Sequence, residues 1–282
     1  MKWMKRFAGV MLLVVLLSGC AAAADVESMA AEVYQAAVEK RPFPVLTVEN
    51  PGMTEADSYA VQKLYSEKLL AGKRPVGFKA GLTTEATMKR FGSDVPFAAV
   101  LFPDGYMDGA SAAPVVKRIG FGTLMIESEI GFVLGEPVSA PLKDIDELKG
   151  KIAFLAPAIE LPDLSFTDMK ALRGVDINAA AISSRAFILG KTVPKAEAPD
   201  INELVPVLAL DGAEVNRGRG SDALGDQWKA ALWLVNKMVE EGWTMEKGDI
   251  LLTGALGNMI PGKPGNYEYD AGALGRISFT VK

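Results

Sequence analysis

Glu127 and Glu129 stand two residues apart in Leu124-Met125-Ile126-Glu127-Ser128-Glu129-Ile130. On a strand, where side chains alternate with a period of two, both carboxylates project from one face. Such a pair is comfortable in water or around a cation and costly in a dry pocket without one. A half-buried strand with an acidic solvent face also accounts for it. Glu160 sits at the end of the apolar run Ile152-Ala153-Phe154-Leu155-Ala156-Pro157-Ala158-Ile159, where a lone carboxylate needs a partner, a metal, a raised pKa or an escape to water. Three carboxylates with no His or Cys among them would make an all-oxygen site, which suits Mg²⁺ or Mn²⁺ better than zinc. Lys79 lies in Val76-Gly77-Phe78-Lys79-Ala80-Gly81-Leu82. Alternation puts Gly77, Lys79 and Gly81 on one face, so the ammonium stands in a trough without flanking side chains. Glycines inside a strand mark close approach of a ligand or another backbone, although a surface lysine on an edge strand fits the pattern too.

The composition removes much other chemistry. The 282 residues contain no histidine. Ser-His-Asp and Cys-His triads and His-ligated zinc are therefore excluded, and proton transfer falls to Lys, Asp, Glu, Tyr or water. A formal charge of -5 offers no basic stripe for a phosphate backbone, so nucleic acid is not an expected partner.

The single cysteine, Cys20, excludes an intramolecular disulfide, and its position is informative. Lys2, Lys5 and Arg6 precede an apolar run from Phe7 to Leu17, and Leu17-Ser18-Gly19-Cys20 ends it. This is the layout of a signal peptide, too short for a stable membrane span. Leu-Ser-Gly-Cys resembles the bacterial lipobox. Residues 1–20 are therefore expected to be a signal peptide, with Cys20 lipidated and the protein exported as a periplasmic or membrane-anchored lipoprotein of a bacterium. Its only membrane attachment would be the lipid. Cleavage within Ala21 to Ala24 and a buried N-terminal helix are the alternatives.

Elements able to position these groups can be read along the rest of the chain. Ser28 to Lys40 reads as a helix stopped by Pro42 and Pro44. Thr54 with Asp57 three residues on starts a second helix, carried by Val61, Leu64, Tyr65 and Leu69 and closed by Gly72. From Val76 the texture becomes short strands with glycines, including Val205 to Leu210 and Ala213 to Val215 about the Asp211-Gly212 turn. A helix over Asp226 to Glu241 carries one apolar stripe of Trp228, Ala231, Leu232, Val235 and Met238. A final pair of strands is expected at Ile250 to Thr253 and Arg276 to Val281. Between them, Thr253-Gly254-Ala255-Leu256-Gly257 forms a glycine loop able to point N–H groups at a carboxylate. No phosphate-binding or dinucleotide signature follows it.

Seven segments in one order resemble the 2-keto-4-pentenoate hydratase and 2-oxo-3-hexenedioate decarboxylase family of the fumarylacetoacetate hydrolase superfamily. They are Val76 to Thr83, Val100 to Phe102, Ile126 to Ile130, Pro157 to Glu160, Gly218 to Ser221, Ala231 to Leu234 and Gly248 to Gly257. The resemblance implies an α+β fold, with a mixed β-roll core over 76–282 and an N-terminal helical region over 25–75. It also implies Mg²⁺ or Mn²⁺ held by Glu127, Glu129 and Glu160, with Lys79 as the catalytic lysine. Ser183, Ser184, Thr253 and Gly254 fall on the substrate side, and a homo-oligomer is expected. The implied activity is that of a divalent-metal-dependent hydratase-like lyase acting on a small 2-oxo (2-hydroxydienoic) acid. The alternatives are a decarboxylase or tautomerase of the same family and a noncatalytic extracytoplasmic carboxylate-binding lipoprotein. The sequence departs from the family at Pro96-Phe97-Ala98-Ala99, where an acidic residue is usual, leaving Asp94 as the substitute; it also lacks the usual Ser-Arg after Glu160.

Overall fold

The computed structural model describes residues 25–282. The segment expected to be a signal peptide, residues 1–20, including Cys20, lies outside the described residues. Among the described residues seven α-helices run in chain order as α1 (Val26–Glu39), α2 (Leu46–Glu49), α3 (Glu55–Leu70), α4 (Glu85–Arg90), α5 (Ile145–Lys151), α6 (Gly174–Ala179) and α7 (Gln227–Glu240). The strands are β1 (Gly77–Gly81), β2 (Phe97–Leu101), β3 (Tyr106–Asp108), β4 (Val115–Val116), β5 (Met125–Leu134), β6 (Ile152–Leu161), β7 (Ala186–Leu189) and β8 (Val193–Pro194). They continue as β9 (Val207–Leu210), β10 (Ala213–Arg217), β11 (Ile250–Leu252), β12 (Ile260–Pro261), β13 (Gly265–Asp270) and β14 (Arg276–Val281).

The two long helices read from the sequence begin at side-chain caps. Thr54 and Asp57 form a reciprocal capping box at α3, and Asp226 accepts from the Lys229 N–H at α7. The inner stripe of α7 is rotated slightly from the expected one: Ala230, Ala231, Leu234, Val235 and Met238 are buried, while Trp228 packs edge-on against Phe132 at 5.1 Å. Among the described residues no helix is long and apolar enough to cross a membrane.

The large sheet has nine strands in the order β2-β1-β11-β5-β6-β7-β3, with β12 on β5 and β8 on β6. The long antiparallel pair β5/β6 is its spine. A second sheet, β10-β9-β13-β14-β4, packs beside it. The Asp211-Gly212 turn there has positive φ at both residues, 48° and 83°, as a two-residue hairpin turn requires. Both expected terminal strands form, in different sheets. β11 inserts between β1 and β5 in the large sheet, whereas β14 joins β13 and β4 in the second. β13, absent from the sequence-based expectations, pairs with β14 along its whole length.

Register decides which side chains share a face. Lys79 aligns with Leu252, Leu252 with Gly131, and Glu127 with Glu160. All four candidate groups therefore occupy one face of the large sheet. Leu101, Ala156, Ala158, Phe187, Leu189, Ile250 and Leu252 form a small separate apolar cluster on the same face. The opposite face belongs to the main core, which it shares with α3, α7 and the second sheet.

Candidate metal centre

Glu127 and Glu160 are direct cross-strand partners on β5 and β6, and Glu129 lies one pleat further along β5. Like charges placed opposite each other weaken a sheet unless something neutralises them. One carboxylate oxygen from each of the three lies within 4.8 Å of the other two. Geometry then guarantees a point within about 2.8 Å of all three, close to the 2.0–2.6 Å at which Mg²⁺ or Ca²⁺ binds oxygen. Glu129 and Glu160 are wholly buried, and Glu127 is half-buried.

Their hydrogen bonds leave the required lone pairs open. Glu129 Oε2 accepts from the Gly254 N–H at 2.7 Å, while Glu129 Oε1 and Glu160 Oε2 are buried with no partner. Unpartnered buried carboxylate oxygens are expensive in an empty protein and are what an oxygen-seeking dication needs. The donor set therefore fits the cation. Tyr269, from the second sheet, donates its hydroxyl to the Glu129 carbonyl at 3.0 Å and anchors this stretch of β5. Gly254 has φ +110° and a Cβ there would overlap Thr83 Oγ1, so only glycine delivers that N–H to Glu129.

Lys79 is 1 % exposed, and β1 lies between β2 and β11, so the edge-strand alternative is overturned. Its Nζ pairs with Glu160 Oε1 and also donates to the Ile182 carbonyl at 3.2 Å. The two glycines beside it have different causes. A Cβ at Gly77 would overlap the Ile250 carbonyl of β11, and one at Gly81 would sit 2.5 Å from Ile182 Cγ2. The trough is thus filled by a neighbouring backbone on one side and by Ile182 on the other. Ile182 belongs to a left-handed turn in which Ala181, Ile182 and Ser183 have φ of 50°, 51° and 55°. Each non-glycine residue there costs roughly 1–2 kcal/mol, a strain that persists only when the surroundings impose it. Here they do: the Asp163 N–H holds the Ser183 carbonyl at 3.0 Å, Asp176 of α6 binds Thr47, and Asn178 is held by Gln62 and Ser58.

Burial is the main force on the acids. It pushes Glu129 up to about 8, helped by the Glu127 charge and opposed by Lys79 and the Gly254 N–H. Burial also raises Glu160 well above the usual carboxylate range, with Lys79 the chief opposing influence. A bound dication would reverse this balance by favouring the charged forms.

The remaining sequence-derived residues divide. Ser183 is buried with an unpartnered hydroxyl, and Ser184 is half-buried; both line a cavity of about 440 Å³. The three carboxylates do not line this cavity, which meets the site at Ser183, next to the carbonyl that holds Lys79. Thr253 is corrected from a substrate contact to a structural one, because its hydroxyl donates to Gln227 Oε1 at 2.5 Å and Gln227 in turn holds the Gly220 carbonyl. Gly254 likewise orients a carboxylate, its N–H being committed to Glu129. Asp94 is exposed before β2, while Phe97 is buried against Tyr59, so Asp94 is not brought to the carboxylates. Gln227, Tyr269 and Ile182 carried no sequence signal, because each acts through a contact more than 25 positions away.

A mixed sheet presenting three converging carboxylates and a buried lysine defines a divalent-metal α+β protein. Residues 78–280 match the fumarylacetoacetate (FAA) hydrolase C-terminal family, and the chain belongs to that family. It is 33% identical over 259 residues to a 2-keto-4-pentenoate hydratase of Burkholderia vietnamiensis, covering 91% of this chain and 97% of the relative. A 4-oxalocrotonate decarboxylase of Pseudomonas sp. is 28% identical, with 86% and 90% covered. The 4-oxalocrotonate decarboxylase of Pseudomonas putida G7, solved with magnesium and adipate, superposes with a TM-score of 0.83 at 26% identity, covering 91% of this chain and 97% of that one. The same enzyme has been solved with calcium and acetate. The α+β roll, the hydratase/decarboxylase class of enzyme and a divalent-metal cofactor follow from these relations.

Proposed function

We propose that the protein is a divalent-metal-dependent hydro-lyase that adds water to the conjugated chain of a small 2-hydroxydienoic (2-oxo) acid. The observation that carries this is a buried carboxylate triad with two unpartnered oxygens, set against a lysine whose ammonium is only partly occupied. Glu127, Glu129 and Glu160 would hold the ion. When bound, Mg²⁺ or Mn²⁺ supplies positive charge beside the oxygen atoms of the acid's 2-oxo head. Lys79 has three N–H donors, of which Glu160 and Ile182 take two. The third is free to hold or deliver a proton to the reacting chain, and burial keeps bulk water from competing for it. Hydration is favoured over decarboxylation by the 33% relative's name; the 0.83 structural match keeps loss of carbon dioxide as the second reading.

Purified protein with Mg²⁺ and a panel of 2-hydroxydienoates should bleach their ultraviolet absorbance, and mass spectrometry should show gain of water rather than loss of carbon dioxide. Chelation should stop the reaction and Mg²⁺ restore it. No turnover of any panel member would refute the reading.

We also propose that the protein works outside the cytoplasm with a lipid on Cys20, a reading supported by the basic start, the apolar run and Leu17-Ser18-Gly19-Cys20. Cys20→Ser should release it from the membrane fraction; retention would refute lipidation. Assembly as a homo-oligomer, implied by the family resemblance, is checked by light scattering.

A further inference from the structure

Lys79 is held by a carbonyl on a strained backbone. Ile182 is the middle of three consecutive left-handed residues, none of them glycine, so the direction of its carbonyl depends on what clamps the turn from outside. The turn packs directly on β1, where a Cβ at Gly81 would lie 2.5 Å from Ile182 Cγ2. Its clamp runs through α6, which leads into the turn, to one side chain of α3.

Gln62 of α3 is 1 % exposed, and its Nε2 faces three oxygens: Asn178 Oδ1 at 2.7 Å, the Asn178 carbonyl at 2.9 Å and the Ala98 carbonyl at 3.0 Å. The orientation of the Asn178 amide is fixed by its other neighbour. Ser58 gives its hydroxyl proton to the Glu55 carbonyl at 2.7 Å, so it can only accept from Asn178 Nδ2, at 2.8 Å, which leaves Asn178 Oδ1 turned to Gln62. Ala98 lies on β2 next to Ala99, the cross-strand partner of Lys79, and donates its N–H to the Tyr59 hydroxyl at 3.0 Å. One amide of α3 therefore ties the strand neighbouring Lys79 to the helix that leads into the turn. Thr47 adds a second tie, donating its N–H and its hydroxyl to the two Asp176 oxygens, each at 2.8 Å. Gln62, Ser58 and Thr47 all precede residue 78, where the family match begins.

Resting on the reading of Lys79 as the proton-handling group, we propose that Gln62 is a positioning residue for it, acting through Asn178 and the left-handed turn. The N-terminal helical region would then aim the lysine as well as cover the core. Without its clamp, the turn relaxes towards ordinary backbone angles and carries the Ile182 carbonyl away. Lys79 keeps Glu160 alone, and its remaining N–H groups lose a fixed direction. The three carboxylates stand on β5 and β6, whose pairing does not pass through Gln62, so the ion is held as before.

The test is Gln62→Met, which keeps the length of the side chain and removes its donors. With Mg²⁺ and substrate, kcat should fall about 10- to 100-fold, the scale of a small misplacement of a reacting group, while KM and the calorimetric Mg²⁺ affinity stay within about twofold. The Ser183 and Ser184 N–H groups, which close the turn on the Ala180 and Ala181 carbonyls, should exchange with deuterium faster, with no change in β13 and β14. Thr47→Val deletes one hydrogen bond of the second tie and should show the same pattern more weakly; it carries the test if Gln62→Met does not fold. Phe279→Ala, which weakens the remote sheet, should keep its kcat and so controls for lost stability. An unchanged kcat in the folded variants, with Lys79→Ala inactive, overturns the positioning role and leaves the reading of Lys79 standing. So does a change in KM or Mg²⁺ affinity as large as that in kcat. Full activity in Lys79→Ala, or no turnover by wild type, overturns the two together.

Discussion

The end of the large sheet where β1, β5 and β6 meet and the interior of the second sheet are built to opposite rules. In the second sheet Tyr267 and Phe279 stack at 4.9 Å with an interplanar angle of 9°, and β13 and β14 alternate buried apolar with exposed polar residues. Its charges stay outside, as in the Arg276–Asp270 pair at 2.8 Å. At the other end, two acids face each other across a strand pair, buried oxygens lack partners, and three residues nearby hold a strained backbone. Stability is concentrated where nothing titrates, and the site keeps the unsatisfied charge that binding a cation requires. Tyr269 joins the two regions, reaching from the quiet sheet to the backbone of Glu129.

The contrast can be broken at several points. Lys79→Ala should lower turnover about 10³- to 10⁴-fold, the scale of a lost general acid or base, while calorimetric Mg²⁺ binding survives. An unchanged rate would remove Lys79 from the chemistry. In the second sheet, Phe279→Ala should cost about 3–5 kcal/mol in urea unfolding yet leave kcat intact at low temperature, because the stack it breaks touches no reacting group. A collapse of kcat in the folded variant would show that the two regions are not separable. Gly254→Ala should weaken Mg²⁺ about 10- to 100-fold by displacing the N–H that orients Glu129, as loss of outer-shell partners does in other metal sites. Unaltered affinity would mean that Glu129 needs no such support.

The smallest effect is in stability against pH. Glu129 has its pKa raised on folding, so its contribution is fully present below the ordinary carboxylate range near 4.5 and is lost as pH rises through about 8. Metal-free protein should therefore become less heat-stable across that window, and Mg²⁺ should raise the melting temperature more at pH 8 than at pH 5. Glu129→Gln removes the buried charge, so at pH 8 the metal-free variant should melt at or above the wild type and respond little to Mg²⁺. A steeper fall in the variant than in wild type would contradict burial as the cause.

Much of this was legible before any coordinates. Thr54 with Asp57 announced α3, because capping is settled within four residues, and an apolar stripe at helical spacing announced α7. Period-two spacing put Glu127 and Glu129 on one face, and glycines beside Lys79 marked close approach. The failures share one physical origin. The strand Gly265–Asp270 was not anticipated, Thr253 was given the wrong partner, and the turn at Ala181–Ser183 carries no glycine to betray its left-handed backbone.

The sequence by itself determined the kinds of ligand atoms, the absence of imidazole, and the local elements that carry each group. Only the tertiary structure decided that Glu160 faces Glu127 and that Lys79 is buried between Glu160 and the Ile182 carbonyl. Local interactions fix which way a side chain points from its own strand. Strand order, register and the path of a returning loop decide what it points at, and those depend on burying surfaces far apart along the chain.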